Sequence, residues 1–370
     1  MPFGAGRFLW SGTKCFALAV VLGAISLAQN APPTQSAPSA PPSAVGQNPD
    51  SGPPRTAVPP SVAQASGQDA SPQQPGSAGQ EQSITPEGNA DDSGRFVFRK
   101  QVQEVVLHAT VVDETGRLVT GLDRSAFSIY VNGTPEPITS FRREDVPVAM
   151  GIIIDNSGSM RDKREKVNQA VLNLIHASNP QDEIFVVNFG QTSYLDQDFT
   201  SDVNLLQAAL HQVSTRGSTA LYDAVVASAV HLQNNPRLTK KVLLVITDGQ
   251  DNMSQETLQD AMRKLQPSKG ATLYAVGLTD EGLTRAGREA LQSLAASTGG
   301  VAFFPQNLNE VDAITRTVAH DIRSQYTLAF KPGAGAQKGY QAIRVEAKGQ
   351  GRSRLTVRTR SGYYPGEAVR

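Results

Sequence analysis

The chain has 370 residues, 34 basic and 34 acidic side chains, one Cys and one Trp. A formal net charge of zero leaves no electrostatic footprint for nucleic acid or for an anionic membrane surface. A single thiol, Cys15, excludes a disulfide within the chain and any cysteine-based metal or redox centre past the N-terminal segment.

Residues 1–28 read as an export signal. Arg7 and Lys14 supply positive charge, 15–28 (CFALAVVLGAISLA) form a 14-residue apolar run, and Ser26-Leu27-Ala28 offers small residues for cleavage. The run is shorter than the roughly 20 apolar residues of a spanning helix. It is either removed or kept as an uncleaved N-terminal anchor, the one route to membrane contact that the sequence offers. Residues 29–94 follow as a Pro/Ser/Gln-rich linker. Of the 23 prolines, 13 fall in 31–94, which holds no aromatic residue. Such a stretch cannot bury enough apolar area to offset its ordering entropy, so it reads as a disordered tether.

From residue 95 the texture changes. Residues 95–147 alternate apolar and polar side chains at Val102, Val105, Leu107, Ala109 and Val111, and again over 127–131. Asn132-Gly133 then gives a strong hairpin signal. The end of the chain, 326–366, shows three further alternating strands over 326–330, 341–347 and 354–359. Neither segment is large enough for a good core alone, so the two are expected to form one small β-sandwich. The alternating Arg352, Arg354, Arg358 and Arg360 read as one solvated face. Tyr363 and Tyr364 read as packing residues, and the helical histidines as surface or boundary residues.

Between these halves, 148–325 alternates strand and helix. Strands are predicted over 149–154, 183–189, 241–247, 271–278 and 301–304. The runs Ile152-Ile153-Ile154 and 242–246 (VLLVI) suit parallel strands covered on both faces. Helical periodicity marks Val167 to Ile175, Leu206 to Val213, Leu258 to Leu265 and Val311 to Ile322. The expected fold is α/β, with a doubly wound and mostly parallel sheet inserted between the two β segments. Ligands would bind at the strands' C-terminal ends.

What stands at those ends is chemically pointed. The first strand runs into Asp155-Asn156-Ser157-Gly158-Ser159, and the third into Thr247-Asp248-Gly249. Between them Gly217-Ser218-Thr219 opens a helix that carries Asp223. The set holds carboxylates and hydroxyls without imidazole or thiolate. It suits Mg²⁺ or Mn²⁺ better than zinc.

DNSGS (155–159), Thr219 within GSTALYDA and Asp248 within ITDGQD resemble the metal-ion-dependent adhesion site of the von Willebrand factor A domain. The resemblance implies that Ser157, Ser159 and Thr219 bind the metal through hydroxyls. Asp155 and Asp248 would act directly or through water, and a partner's carboxylate would take the remaining position. Over 95–365 the chain also resembles the VWFA-related proteins of acidobacteria-type bacteria, down to the tail RSGYY (360–364), which implies secretion. The resulting expectation is an exported, non-enzymatic binding or adhesion module that captures an acidic side chain of a protein partner. Two alternatives stand beside it. One is a metal-dependent hydrolase with Asp223 or Asp251 as base, where Asp251 otherwise caps the helix after Met253. The other is a structural envelope protein with a purely stabilising metal.

Overall fold

The computed structural model describes residues 56–57, 104–143, 145–211, 217–235, 237–278, 283–333, 339–349 and 354–365. The expected export signal and almost all of the expected tether lie outside the described residues. In chain order the strands are β1 (Thr56–Ala57), β2 (Val105–Val112), β3 (Phe127–Val131), β4 (Thr134–Glu136), β5 (Ile138–Arg142) and β6 (Val148–Asp155). Helix α1 (Arg164–His176) leads to β7 (Glu183–Phe189), β8 (Ser193–Thr200), α2 (Val203–His211) and α3 (Leu221–Gln233). Then come β9 (Lys240–Thr247), α4 (Leu258–Leu265), β10 (Thr272–Gly277), α5 (Arg285–Thr298), β11 (Ala302–Phe303) and α6 (Glu310–Arg323). The chain closes on β12 (Tyr326–Phe330), β13 (Gln341–Ala347), β14 (Thr356–Arg358) and β15 (Gly362–Tyr363).

One sheet has the order β1-β8-β7-β6-β9-β10-β11. Strands β7, β6, β9, β10 and β11 run parallel, while β8 and β1 add antiparallel pairs at one edge. All eight residues of β6 and all eight of β9 are buried, as continuous apolar runs require when helices cover both faces. Alternate residues feed different cores. Ile152 and Ile154 pack with α1, α2 and α6, whereas Ile153 packs with α3, α4 and α5. Each such side chain contributes about 1.5–3 kcal/mol of burial. Gly151 lies where a Cβ would meet the Phe185 ring at 2.2 Å, so only glycine lets that ring cross β6.

The outer β segments form two further sheets, β14-β2-β12-β5 and β15-β13-β3-β4. Every second residue of β2 (Val105, Leu107, Ala109, Val111) enters one core with Phe127, Ile129, Leu328, Phe330, Ile343, Val345 and Tyr363. That is the expected sandwich, and both ends of the chain contribute to each layer. Asn132 and Gly133 both take positive φ (49° and 83°), the backbone of a tight hairpin between β3 and β4.

Three elements were not anticipated. Strand β1 falls within the segment expected to be a disordered tether, where its backbone pairs antiparallel with the edge strand β8. Strand β8 pairs irregularly with β7 and carries Asp196 and Asp198, so it lacks a clean alternation. Helix α5 buries mostly small residues and two leucines, Leu291 and Leu294, which weakens its periodic signal. Two expected strands also shorten, 301–304 to Ala302–Phe303 and 354–359 to Thr356–Arg358.

Two arginines of the expected solvated stripe, Arg358 and Arg360, do not face water; Arg354 is exposed, and Arg352 lies outside the described residues. Arg358 donates to both oxygens of Asp321 on α6 at 3.1 Å. Arg360 is buried and donates to the carbonyls of Pro267 (2.7 Å) and Gly270 (3.0 Å) just past α4. Residues that alternate along an edge strand would face water if the sandwich stood alone, but here the helices of the large sheet cover them. The α/β side of this junction carries further polar contacts. Tyr274 Oη donates to Asp321 at 2.9 Å, the Lys240 ammonium caps the carbonyl of Ile322, and Arg323 pairs with Asp182 and Asp145. Burial pushes Lys240 down to about 8 and Arg360 down to about 10.

His108, on β2, is buried at the same junction. Burial holds its pKa well below 6.5, and the charges of Lys240 and Arg360 push the same way. A base whose folded pKa is depressed binds fewer protons folded than unfolded. Its stability contribution is therefore intact above 6.5 and is lost as pH falls below that value. Chemical denaturation of wild type between pH 7.5 and 5 should show stability falling with a slope approaching about 1.4 kcal/mol per pH unit from this group. His108→Gln should remove that component of the slope.

Candidate metal cup

Strands β6 and β9 run parallel and in register, with Ile154 beside Ile246. Their next residues, Asp155 and Thr247, therefore leave the sheet side by side. Asp155 is fully buried, and so is Asp248 one residue beyond Thr247. Asp155 Oδ2 accepts a hydrogen bond from Thr247 Oγ1 at 2.6 Å, and Oδ1 accepts one from the Ser157 amide at 2.8 Å. The chain then makes a single tight turn, Gly158–Met160, whose last side chain is fully buried and anchors it. The turn brings Ser157 Oγ to 3.1 Å from Ser159 Oγ, and Ser159 Oγ donates to Asp248 Oδ1 at 2.8 Å. Gly158 and Ser159 are exposed while Ser157 is buried, so the cup opens on the Ser159 side.

Thr219 reaches the cup from the loop before α3. Its amide donates to Asn252 Oδ1 at 2.9 Å, and the Asn252 amide returns a bond to the Thr219 carbonyl at 3.0 Å. A Cβ built on Gly249 would stand 3.3 Å from Thr219 Oγ1, so the threonine hydroxyl lies against the loop that carries Asp248. Asp155, Ser157, Ser159 and Asp248 are thus linked directly, and Thr219 joins them through the 249–252 loop.

Burial pushes the Asp155 carboxyl up, against the bonds from Thr247 and Ser157 that pull it down; the neighbouring Asp248 carboxylate adds to the rise. Two carboxylates in a dry site are electrostatically unfavourable without a cation. Among the described residues no three His, Cys, Asp or Glu side chains come together as a metal site. The donors here are instead two carboxylates and three hydroxyls. That all-oxygen set fits a hard divalent cation.

Asp223 and Asp251 serve the loops. Asp223 accepts the amides of Gln255 and Glu256 at 2.9–3.1 Å. Asp251 does not cap α4. It accepts the Tyr222 amide at the start of α3 (3.0 Å) and the Ser254 amide (3.2 Å), while α4 is capped by Thr257 in a reciprocal box with Asp260. Residues that sequence reasoning left out of the site are Thr247, Asn252 and Lys163. Lys163 Nζ lies 2.5 Å from Asp248 Oδ2. A threonine next to Asp248 at a parallel strand end was a signal for the first; nothing local marks the other two.

The arrangement is a doubly wound α/β sheet with an oxygen-lined cup at the point where the strand order reverses. The von Willebrand factor type A domain family model matches residues 150–250, the stretch from β6 to just past β9. No curated protein matches the chain. Among solved structures it is similar to proximal thread matrix protein 1 from the mussel byssus, at 16% identity and a TM-score of 0.44, covering 56% of this chain and 51% of that one. It is also similar to a von Willebrand factor type A protein from Catenulispora acidiphila, at 16% identity and a TM-score of 0.42, covering 73% and 76%. The D319A mutant of the PilB minor pilin from Streptococcus sanguinis matches at 12% identity and a TM-score of 0.41, covering 48% and 62%. The chain spans about half the length of the byssus protein.

Thr247→Val keeps the shape of the strand end but leaves Asp155 Oδ2 without its hydroxyl donor. We expect a loss of about 1–3 kcal/mol in denaturant unfolding, the cost of an unpaired buried acceptor. Thr247→Ser should restore most of it.

Proposed function

We propose that Asp155, Ser157, Ser159, Thr219 and Asp248 hold a Mg²⁺-type ion that captures an acidic side chain of a protein partner. The observation that carries this reading is the convergence of two fully buried carboxylates with three hydroxyls at the carboxyl ends of β6 and β9. Domains of this type often mediate protein–protein interaction with a metal site. The serine and threonine hydroxyls are neutral, so an ion held here keeps a strong attraction for one more carboxylate. Asp223 and Asp251, the bases that a hydrolase would need, accept backbone amides instead, and this favours a non-enzymatic module. The apolar run of 15–28 and the likeness of 95–365 to VWFA-related proteins of acidobacteria-type bacteria support export to the periplasm, cell surface or exterior. No helix among the described residues is long and apolar enough to cross a membrane.

Thermal unfolding of the full chain against Mg²⁺ and Mn²⁺ tests the ion. Wild type should gain about 2.7 kcal/mol at 100 times the dissociation constant, and Asp155→Ala should gain nothing. Capture of envelope proteins tests the partner. Retention should be lost with EDTA and with Thr219→Ala. Identical proteins retained by wild type and Thr219→Ala would leave only a stabilising metal.

A further inference from the structure

Lys163 stands where local preference would not put it. It is the residue that caps the start of α1, and its side chain makes no cap bond there. Capping positions favour Ser, Thr, Asp and Asn, and a positive charge is repelled by the positive end of the helix. The ammonium instead crosses to a residue 85 positions away, at 2.5 Å from Asp248 Oδ2. Ser159 Oγ holds Oδ1 of the same carboxylate at 2.8 Å, so both oxygens of Asp248 are engaged. The two oxygens of Asp155 accept from neutral donors, the Ser157 amide and the Thr247 hydroxyl. Asp248 is fully buried and the Lys163 side chain is 13% exposed, so water screens this pair little.

We infer that Lys163 is an internal counter-cation of the cup, which competes with the divalent ion for Asp248 and swings out when the ion binds. The inference rests on the metal-cup reading. A divalent ion near Asp248 and an ammonium on the same carboxylate repel each other strongly in a dry site. The lysine has a route out. Its stem is flexible, and the neighbouring Arg161 and Asp162 are exposed. Paired with Asp248, the ammonium offsets one of the two buried carboxylates. In the loaded cup it would stand at the mouth, adding a positive charge for the acidic group of the partner. The arrangement weakens metal affinity and widens the difference between the two states.

Two measurements on the full chain test this. Mn²⁺ titration by calorimetry should show Lys163→Met and Lys163→Gln binding at least about fivefold tighter than wild type, the lower end of ordinary coupling between two ligands. Reductive methylation of wild type, read by mass spectrometry, should label Lys163 faster in Mn²⁺ than in EDTA. Folded variants that bind Mn²⁺ no tighter than wild type, or Lys163 labelling unchanged by Mn²⁺ that calorimetry shows to be bound, would overturn the counter-cation. If both variants fail to fold, the wild-type labelling decides. Absence of Mn²⁺ binding in wild type and in both folded variants would overturn the metal cup itself, and the counter-cation with it.

Discussion

The in-register parallel pairing of β6 with β9 is the constraint on which the rest of the site depends. It runs without a break from Val148 beside Lys240 to Ile154 beside Ile246. Because it is parallel, both strands end at the same sheet edge, and because it is in register, Asp155 and Thr247 emerge together. A slip of one residue would exchange the faces of the whole apolar run and separate the carboxylate from its hydroxyl. The order β7-β6-β9 supplies the second half of the geometry. The chain leaves β6 toward one side and returns on the other, so the loops after β6 and β9 diverge over a crevice. The loop before α3 then closes that crevice with Thr219.

Burial makes this edge costly. Both carboxylates are fully buried, and removing a charged group from water costs free energy unless partners replace the lost solvation. The fold retains them by surrounding each with oriented donors and by sending an ammonium into the site. These side chains are not an economical way to end two strands. Departures of this kind from local preference concentrate where a protein binds or reacts. The lysine at the start of α1 and the acids at the ends of β6 and β9 are one such departure, shared between two segments of the chain.

The sandwich is tied to the large sheet by buried charges and hydrogen bonds. Asp321 near the end of α6 accepts from both Arg358 and Tyr274, and Lys240 holds the carbonyl of Ile322. Only Ser324 and Gln325 separate α6 from β12, which is an inner strand of the sandwich. The helix end is therefore held from the sheet, from the sandwich and by the chain itself. A buried network of this type is stable only while its members remain paired. His108, whose pKa is lowered first by burial and then by the charges of Lys240 and Arg360, ties the stability of this region to pH.

Periodicity and apolar runs are local properties, and what depends on them was legible. Ile152-Ile153-Ile154 and 242–246 announced covered parallel strands, Asn132-Gly133 announced a hairpin, and alternation at both ends announced two halves of one sandwich. Strand β8 and helix α5 escaped because acidic residues in one and small residues in the other blur the period. Partners of charged side chains are not local. Arg358 and Arg360 alternate as a solvated face would, and only packing of the sandwich against α4 and α6 buries Arg360 and partly covers Arg358. Asp251 read as the cap of the following helix, yet its carboxylate reaches back 29 residues to Tyr222. The sequence by itself determined the α/β class and the candidate donors at the strand ends, because residue type and spacing along the chain carry that information. Only the tertiary structure decided which hydroxyl orients Asp155, which cation meets Asp248 and which arginines face water, because those choices depend on distances between segments far apart in the chain.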